Sequence, residues 1–387
     1  MSTRRLTIAF FGSSLVSSYW NGAATYYRGM LKALAACGHR ITFYEPDAFD
    51  RQKHRDMEDP SWARVVVYPA TEEAAGQMLE QARSADIIVK ASGVGVLDEW
   101  LEREVLALQK AGTLVLFWDV DAPATLERVQ TNPDDPFRDL IPRYDLILTY
   151  GGGDPVVQAY EALGARACHP IYNALDPETH HPVAVDPAFA SSLSFLGNRL
   201  PDRESRVYEF FFKAVDALPD HRFILGGNGW QDNAPQRDNL SYLGHVYTRD
   251  HNAFNCSANA VLNINRDSMA RFGFSPPTRV FEAAGCGACL IMDHWEGVEM
   301  FLEPGTEVLV ARNGDDVVEH LKSLDRKRAR RIGNAARQRV LREHTYRHRA
   351  EEFERLIQLP FTIQTHQPQP NRLQPNIKTN SSAQRIA

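Results

Sequence analysis

Along the chain, short unbroken apolar runs alternate with longer stretches in which apolar residues recur every three or four positions. The first pattern is that of a strand buried on both faces and the second that of a helix with one buried stripe. Residues 6–11 form the first run, closed by Gly12. In the next stretch Tyr27, Met30, Leu31 and Leu34 share a helical face, and Gly38 ends the helix before a strand over 41–44. Further strands are expected over 64–68, 86–91, 113–118 and 146–150. The same alternation restarts at Leu193 with a strand, a glycine turn and a helix whose face holds Val207, Phe210, Phe211 and Val215. Strands then follow over 222–225, 240–246, 260–264, 288–292 and 308–311. Helices are expected over 278–284, 315–324, 327–343 and 346–359. Strand and helix in alternation predict a doubly wound parallel sheet, and the restart predicts two of them.

The length of 387 residues agrees with two domains of about 150 to 180 residues each. We read residues 1–182 as an acceptor-side domain and 183–345 as a donor domain. A helix over 346–359 crosses back to the first, and 360–387, rich in Gln, Pro, Asn and Ser, is expected to be disordered. With 43% hydrophobic and 24% charged residues the composition is that of an ordinary globular protein. A net charge of −6 gives no reason to expect nucleic acid or an anionic membrane as partner. No apolar stretch reaches the length of a membrane span, and the chain reads as cytoplasmic. Five scattered cysteines do not make a disulfide framework. Cys286 and Cys289 form a C-x-x-C, but without a second such pair a zinc site is not expected, and their small side chains suit packing.

Chemistry concentrates where strands end. In RFGFSPPTRVFEAAGCGACLIMDHWEG, residues 271–297, Ser275 and two prolines precede a helix that carries Glu282 about one turn in. Free amides at such a helix start suit an anion, and the acid suits a hydroxyl. In the first half, Trp20, Asn21 and Gly22 follow the first strand and are candidates for contacting acceptor or phosphate, or else form a solvated loop. SGVGVLDEW has G-x-G without a third glycine, so it reads as a turn capped by Asp98, with Ser92 and Gly93 lining the crevice. Asp119 and Asp121 allow three readings: a metal-binding D-x-D, a helix cap by Asp121, or a crevice-facing base. Gly152, in a run of three glycines, allows either close approach to a ligand or a hinge.

The run RVFEAAGCGACLI resembles the donor-nucleotide segment of GT-B glycosyltransferases, and in detail that of the CgeB-like, spore-maturation-type proteins. CGHRITFYEP resembles the second-strand entry of these enzymes, and HPIYNALDPETHHPV the passage by which they leave the first domain. The resemblance implies an α/β GT-B fold, two Rossmann-like doubly wound domains facing a central cleft. It implies that Glu282 holds the ribose hydroxyls, while Ser275 and Arg279 face a diphosphate. Gly197, Asn198 and either Arg203 or Arg206 would hold that diphosphate too, the other arginine being a surface charge. His245 would lie at the nucleobase or else on an exposed turn, and Asp121, within a family-like D-x-P, would be the base. The co-substrate expected is a UDP-, dTDP- or GDP-sugar, with no metal and no further cofactor. The chain departs from broader relatives in lacking a second acid about two turns before Glu282, where Phe274 or Ser275 stands. Two other functions fit the same residues: a metal-dependent transferase using Asp119 and Asp121, and a nucleotide-sugar binding protein without catalysis.

Overall fold

A computed structural model describes residues 5–19, 21–231 and 234–358. The first sheet contains β1 (Thr7–Phe11), β2 (Arg40–Asp47), β3 (Ala63–Pro69), β4 (Ile87–Ala91), β5 (Leu114–Asp119), β6 (Leu146–Thr149) and β7 (Cys168–Pro170). Its order is β3-β2-β1-β4-β5-β6-β7, and every pairing is parallel. The second contains β8 (Ser191–Leu196), β9 (Phe223–Gly226), β10 (Leu240–Gly244), β11 (Ala258–Asn263), β12 (Leu290–Asp293) and β13 (Leu309–Ala311), in the order β10-β9-β8-β11-β12-β13. It too is wholly parallel. Helices cover both faces of each sheet, which is why its central strands are mostly apolar. Strand order reverses between β1 and β4 and again between β8 and β11, so each domain opens a crevice at the carboxyl ends of those strands.

Some elements departed from the sequence pattern. β7 lies in part of the passage read as an interdomain connection, and a helix at Asp267–Phe272 interrupts what read as a loop. The apolar run of β4 holds Lys90, which is fully buried and pairs with Asp98 at 2.5 Å and Glu102 at 3.9 Å. Burying that charge is tolerable only because the carboxylates come with it. Trp20 and the tail at 360–387 lie outside the described residues.

The helix Tyr346–Gln358 leaves the second domain and packs on the first. Phe353 stacks on Trp118 at 5.6 Å, and Arg349 donates from Nε to the Tyr172 carbonyl at 3.2 Å. Gly29, on the helix Ala24–Ala36, is needed here because a Cβ there would run into the Tyr346 ring. Phe353 is fully buried. Phe353→Ala is expected to cost about 3 kcal/mol, the usual range for emptying an aromatic site, and to appear as a lower urea midpoint. The domains also touch through hydrogen bonds onto backbone carbonyls. The Gly152 N–H donates to the Phe274 carbonyl at 2.9 Å, and Asn173 Nδ2 to that of Pro276 at 3.0 Å. A Cβ on Gly153 would lie 2.6 Å from the Phe274 side chain, so the glycine run serves contact between the domains.

Candidate active site between the two domains

The turn after β8 is built by its own residues. The Gly197 N–H donates to the Gly226 carbonyl at 2.9 Å, and the Gly197 carbonyl accepts from Trp230 Nε1 at 2.7 Å. Asn198 Oδ1 accepts from the Asn228 N–H at 2.9 Å. Arg203 folds back over this turn. Its Nη2 donates to the Asn198 carbonyl at 2.6 Å, and its guanidinium lies 5.7 Å from the Phe195 ring centre. Burial, with Arg279 and Arg266 adding to it, depresses the Arg203 pKa to about 10. Its Nε is buried without a hydrogen-bond acceptor among the described residues.

Arg206 is not a free surface charge: it is half-buried and held in an ion pair within the second domain. Its Nη2 pairs at 2.7 Å with Asp293, which is fully buried at the end of β12 and also accepts from the Asn265 N–H at 3.1 Å. Burial pushes the Asp293 carboxyl up to about 6 in spite of Arg206. Only the fold brings these two residues together, one in the helix Pro201–Val207 and the other at a strand end.

The helix Thr278–Gly285 begins after Pro277 with no side-chain cap. Ser275, just upstream, is buried. Its Oγ donates to the Gly273 carbonyl at 2.8 Å and its own carbonyl accepts from Asn265 Nδ2 at 3.2 Å, so the hydroxyl shapes the loop. Arg279 lies within the electrostatic reach of Arg203, and its Nε and Nη1 are buried without a hydrogen-bond acceptor among the described residues. Its Nη1 stands 3.4 Å from Glu282 Oε2. Glu282 is 7% exposed, yet its surroundings are polar: Arg279, His180 and His251. Burial alone would raise its pKa, but those three, Arg279 foremost, more than offset it and hold the carboxyl below its ordinary value. The sequence reading missed both histidines. His180 was hidden in the interdomain passage, and His251 opens a helix whose position against Glu282 no local pattern shows. His245 is exposed and meets Tyr247 edge-on at 4.7 Å.

On the other side of the cleft, Asp119 is wholly buried. Its Oδ1 accepts from Ser92 Oγ at 2.7 Å, the Asp121 N–H at 3.0 Å and Thr125 Oγ1 at 3.1 Å, and its Oδ2 from Tyr160 OH at 2.5 Å. Both oxygens hold the strand end together, and Ser92 is part of that framework. Asp121 is the N-cap residue of the next helix, but its side chain makes no cap hydrogen bond. Instead its Oδ2 stands 3.4 Å from Arg266 Nη1 of the second domain, whose Nε donates to Asp202 at 2.5 Å. Asp121 opens onto a cavity of about 470 Å³ between the domains, lined also by Ala124, Glu127, Asp202, Ser205 and Arg271. Burial raises its pKa, with Asp119 adding and Arg266 opposing. Asn21 does not reach the cleft with its amide. Nδ2 donates to the carbonyls of Ser14 at 2.8 Å and Ser17 at 3.0 Å, while Oδ1 accepts from Ser13 Oγ. Gly22 and Gly93 are exposed.

Residues 203–355 match the glycosyl transferase-like family. No curated protein sequence matches the chain. Among solved structures, the chain is similar to sucrose-phosphate synthase from Thermosynechococcus elongatus, with a TM-score of 0.63 and 15% identity over 91% of this chain and 98% of that one. It is similar to Anabaena HepE in complex with UDP and glucose, with a TM-score of 0.64 and 13% identity over 91% and 99%. It is also similar to an α-glucosyltransferase in complex with UDP-glucose and DNA containing an abasic site, with a TM-score of 0.65 and 12% identity over 92% and 100%. At such identities the likeness shows the fold alone, two doubly wound domains as in these transferases, and the glycosyl transferase-like match is confined to residues 203–355. Among the described residues no helix is long and apolar enough to cross a membrane.

Proposed function

We propose that the protein moves a sugar from a nucleoside-diphosphate sugar to an acceptor hydroxyl, without a metal ion. The observation that carries this reading is the pair Arg203 and Arg279: two guanidiniums within each other's field, each with a buried Nε that has no hydrogen-bond acceptor among the described residues. Glu282 faces Arg279 from one side, and the buried donors still unpaired are costly until a further anion arrives. A diphosphate fits, because the guanidinium fork matches its oxygens. In the transfer, the acceptor oxygen attacks the anomeric carbon and the bond from that carbon to the phosphate oxygen breaks, its electron pair leaving with the diphosphate. Arg203 and Arg279 then meet a charge that grows as the reaction proceeds, which is how fixed cations lower the barrier. The acceptor's proton goes to Asp121, the carboxylate on the opposite wall of the cleft.

Glu282, an anion about one helical turn into the helix that bears Arg279, supports the reading of a ribose site next to the diphosphate. Glu282→Ala is expected to weaken nucleoside-diphosphate binding by about ten- to hundredfold in calorimetry, the usual cost of losing hydrogen bonds to a charged acceptor. Unchanged affinity would remove the ribose assignment. The metal-dependent alternative is disfavoured because Asp119 has both oxygens occupied by protein donors. Transfer is accordingly expected to persist in excess chelator. The CgeB-like assignment rests on the run RVFEAAGCGACLI, and the cytoplasmic one on a sequence whose apolar stretches fall short of a membrane span.

A further inference from the structure

The two cysteines that stand as C-x-x-C in the sequence part in the fold, and a different pair meets. Cys289 joins the buried core of the second domain. Cys286 closes the helix Thr278–Gly285, its N–H donating to the Glu282 carbonyl at 3.1 Å. Its thiol packs on the helix His251–Ser257, where Sγ donates to Asn252 Oδ1 at 3.2 Å and accepts from Asn255 Nδ2 at 3.9 Å. Asn252, Asn255 and Cys256 are spaced i, i+3 and i+4, so they share one face of that helix. Cys256 completes the contact, with Sγ 3.5 Å from the Cys286 carbonyl oxygen. The two thiols also set each other's acidity. Cys256 is held below the ordinary thiol range by the Cys286 thiol, by the Val183 N–H that donates to its Sγ at 3.4 Å and by His181, with burial opposing. Cys286 is held above that range by Cys256 and by burial.

Position divides the labour between the two sulfurs. Cys256 is half-buried and within reach of a small reagent, whereas Cys286 is buried behind it. Cys37 is half-buried too, but burial and the carboxylates of Glu354 and Glu351 keep it protonated. A thiolate that is both formed and reachable is the one that reacts, and a second thiol beside it resolves the product. We infer that Cys256 and Cys286 are a redox-sensitive dithiol whose reactant is a low-molecular-weight disulfide of the glutathione type. The Cys256 thiolate attacks one sulfur of that disulfide. An S–S bond forms to Cys256, the reactant's own S–S bond breaks, and one small thiolate leaves with the electron pair. Cys286 gives up its proton and attacks Cys256 Sγ, and the second small thiolate leaves. The protein thereby loses two electrons and two protons, and the small disulfide becomes two thiols. The new bond joins residues 30 apart in sequence and fastens the end of the helix bearing Arg279 and Glu282 to the helix bearing His251. The inference does not depend on which donor binds.

The test takes the full chain, freshly reduced, incubates it at neutral pH with excess glutathione disulfide, blocks the remaining thiols with iodoacetamide and maps the peptides by mass spectrometry. The unaltered protein is expected to lose two of its five free thiols, to retain no glutathione and to yield a linked peptide joining Cys256 to Cys286, all reversed by dithiothreitol. Cys286→Ala, which takes away the resolving thiol, is expected to stop with glutathione held on Cys256. Cys256→Ser is expected to leave Cys286 a thiol. Glutathione that stays on Cys256 in the unaltered protein overturns the inference. So does a Cys256 that remains a thiol, or a link that involves any other cysteine. These readings come from the unaltered chain and stand even where a variant fails to fold. Uptake of glutathione by Cys286 in a folded Cys256→Ser overturns it as well, because the entering role then belongs to the other sulfur.

Discussion

Asp121→Asn is expected to lower kcat by about 10²- to 10⁴-fold, the usual contribution of a positioned base, while leaving the affinity for nucleoside diphosphate within about threefold. The asymmetry follows from position. Asp121 belongs to the first domain and faces the cleft, whereas Arg203, Arg279 and Glu282 are carried by the second. Asparagine keeps the shape and a polar contact to Arg266 but cannot take a proton. The pH profile gives a second readout. Burial raises the Asp121 pKa above its ordinary value of 3.8, with Arg266 holding it back. A base must be ionised to act, so kcat/KM should fall as pH drops through that raised value and be flat above it, until another group titrates. In Asp121→Asn the acidic limb should vanish. Full turnover in that variant, measured with a labelled nucleotide sugar, would reassign the base.

Arg203→Ala and Arg279→Ala should each lower kcat by about 10²- to 10³-fold, more than they weaken binding of the intact donor. The reason is that charge on the diphosphate increases as the sugar departs, so a fixed cation is worth more in the transition state than in the bound ground state. The double variant should lose less than the product of the two, because the guanidiniums lie within each other's field and act on one anion. Arg206→Ala is a useful contrast. It leaves Asp293 buried without its cation, so its defect should be in stability, as a lower unfolding midpoint. If Arg206→Ala were instead a stable protein with a specific loss of turnover, the roles assigned to Arg203 and Arg206 would have to be exchanged.

These contrasts mark what the chain discloses locally. The runs over 6–11, 113–118 and 288–292 read as strands because buried parallel strands are apolar throughout, and the helix over 278–284 because proline precedes it and glycine follows. The three-residue β7 is too short to leave such a pattern. Charge partners are equally silent in sequence. Lys90 interrupts an apolar run for the sake of carboxylates on the following helix, and Arg206 meets an aspartate 87 residues away. Asp119 and Asp121 differ by two positions, yet one is sealed by four donors and the other faces a cleft.

By itself the sequence determined two doubly wound α/β domains, their strand ends as the places for chemistry, and Glu282 and Arg279 on one helix. Each of these is a matter of neighbours a few positions apart, where periodicity and turn residues act. Only the tertiary structure decided that Arg203 rather than Arg206 overhangs the turn after β8, that Asp121 looks across the cleft instead of capping its helix, and that His180 and His251 stand beside Glu282. Those outcomes depend on which distant strand ends lie side by side. Burial and electrostatic pairing set them, and both act through space without regard to separation along the chain.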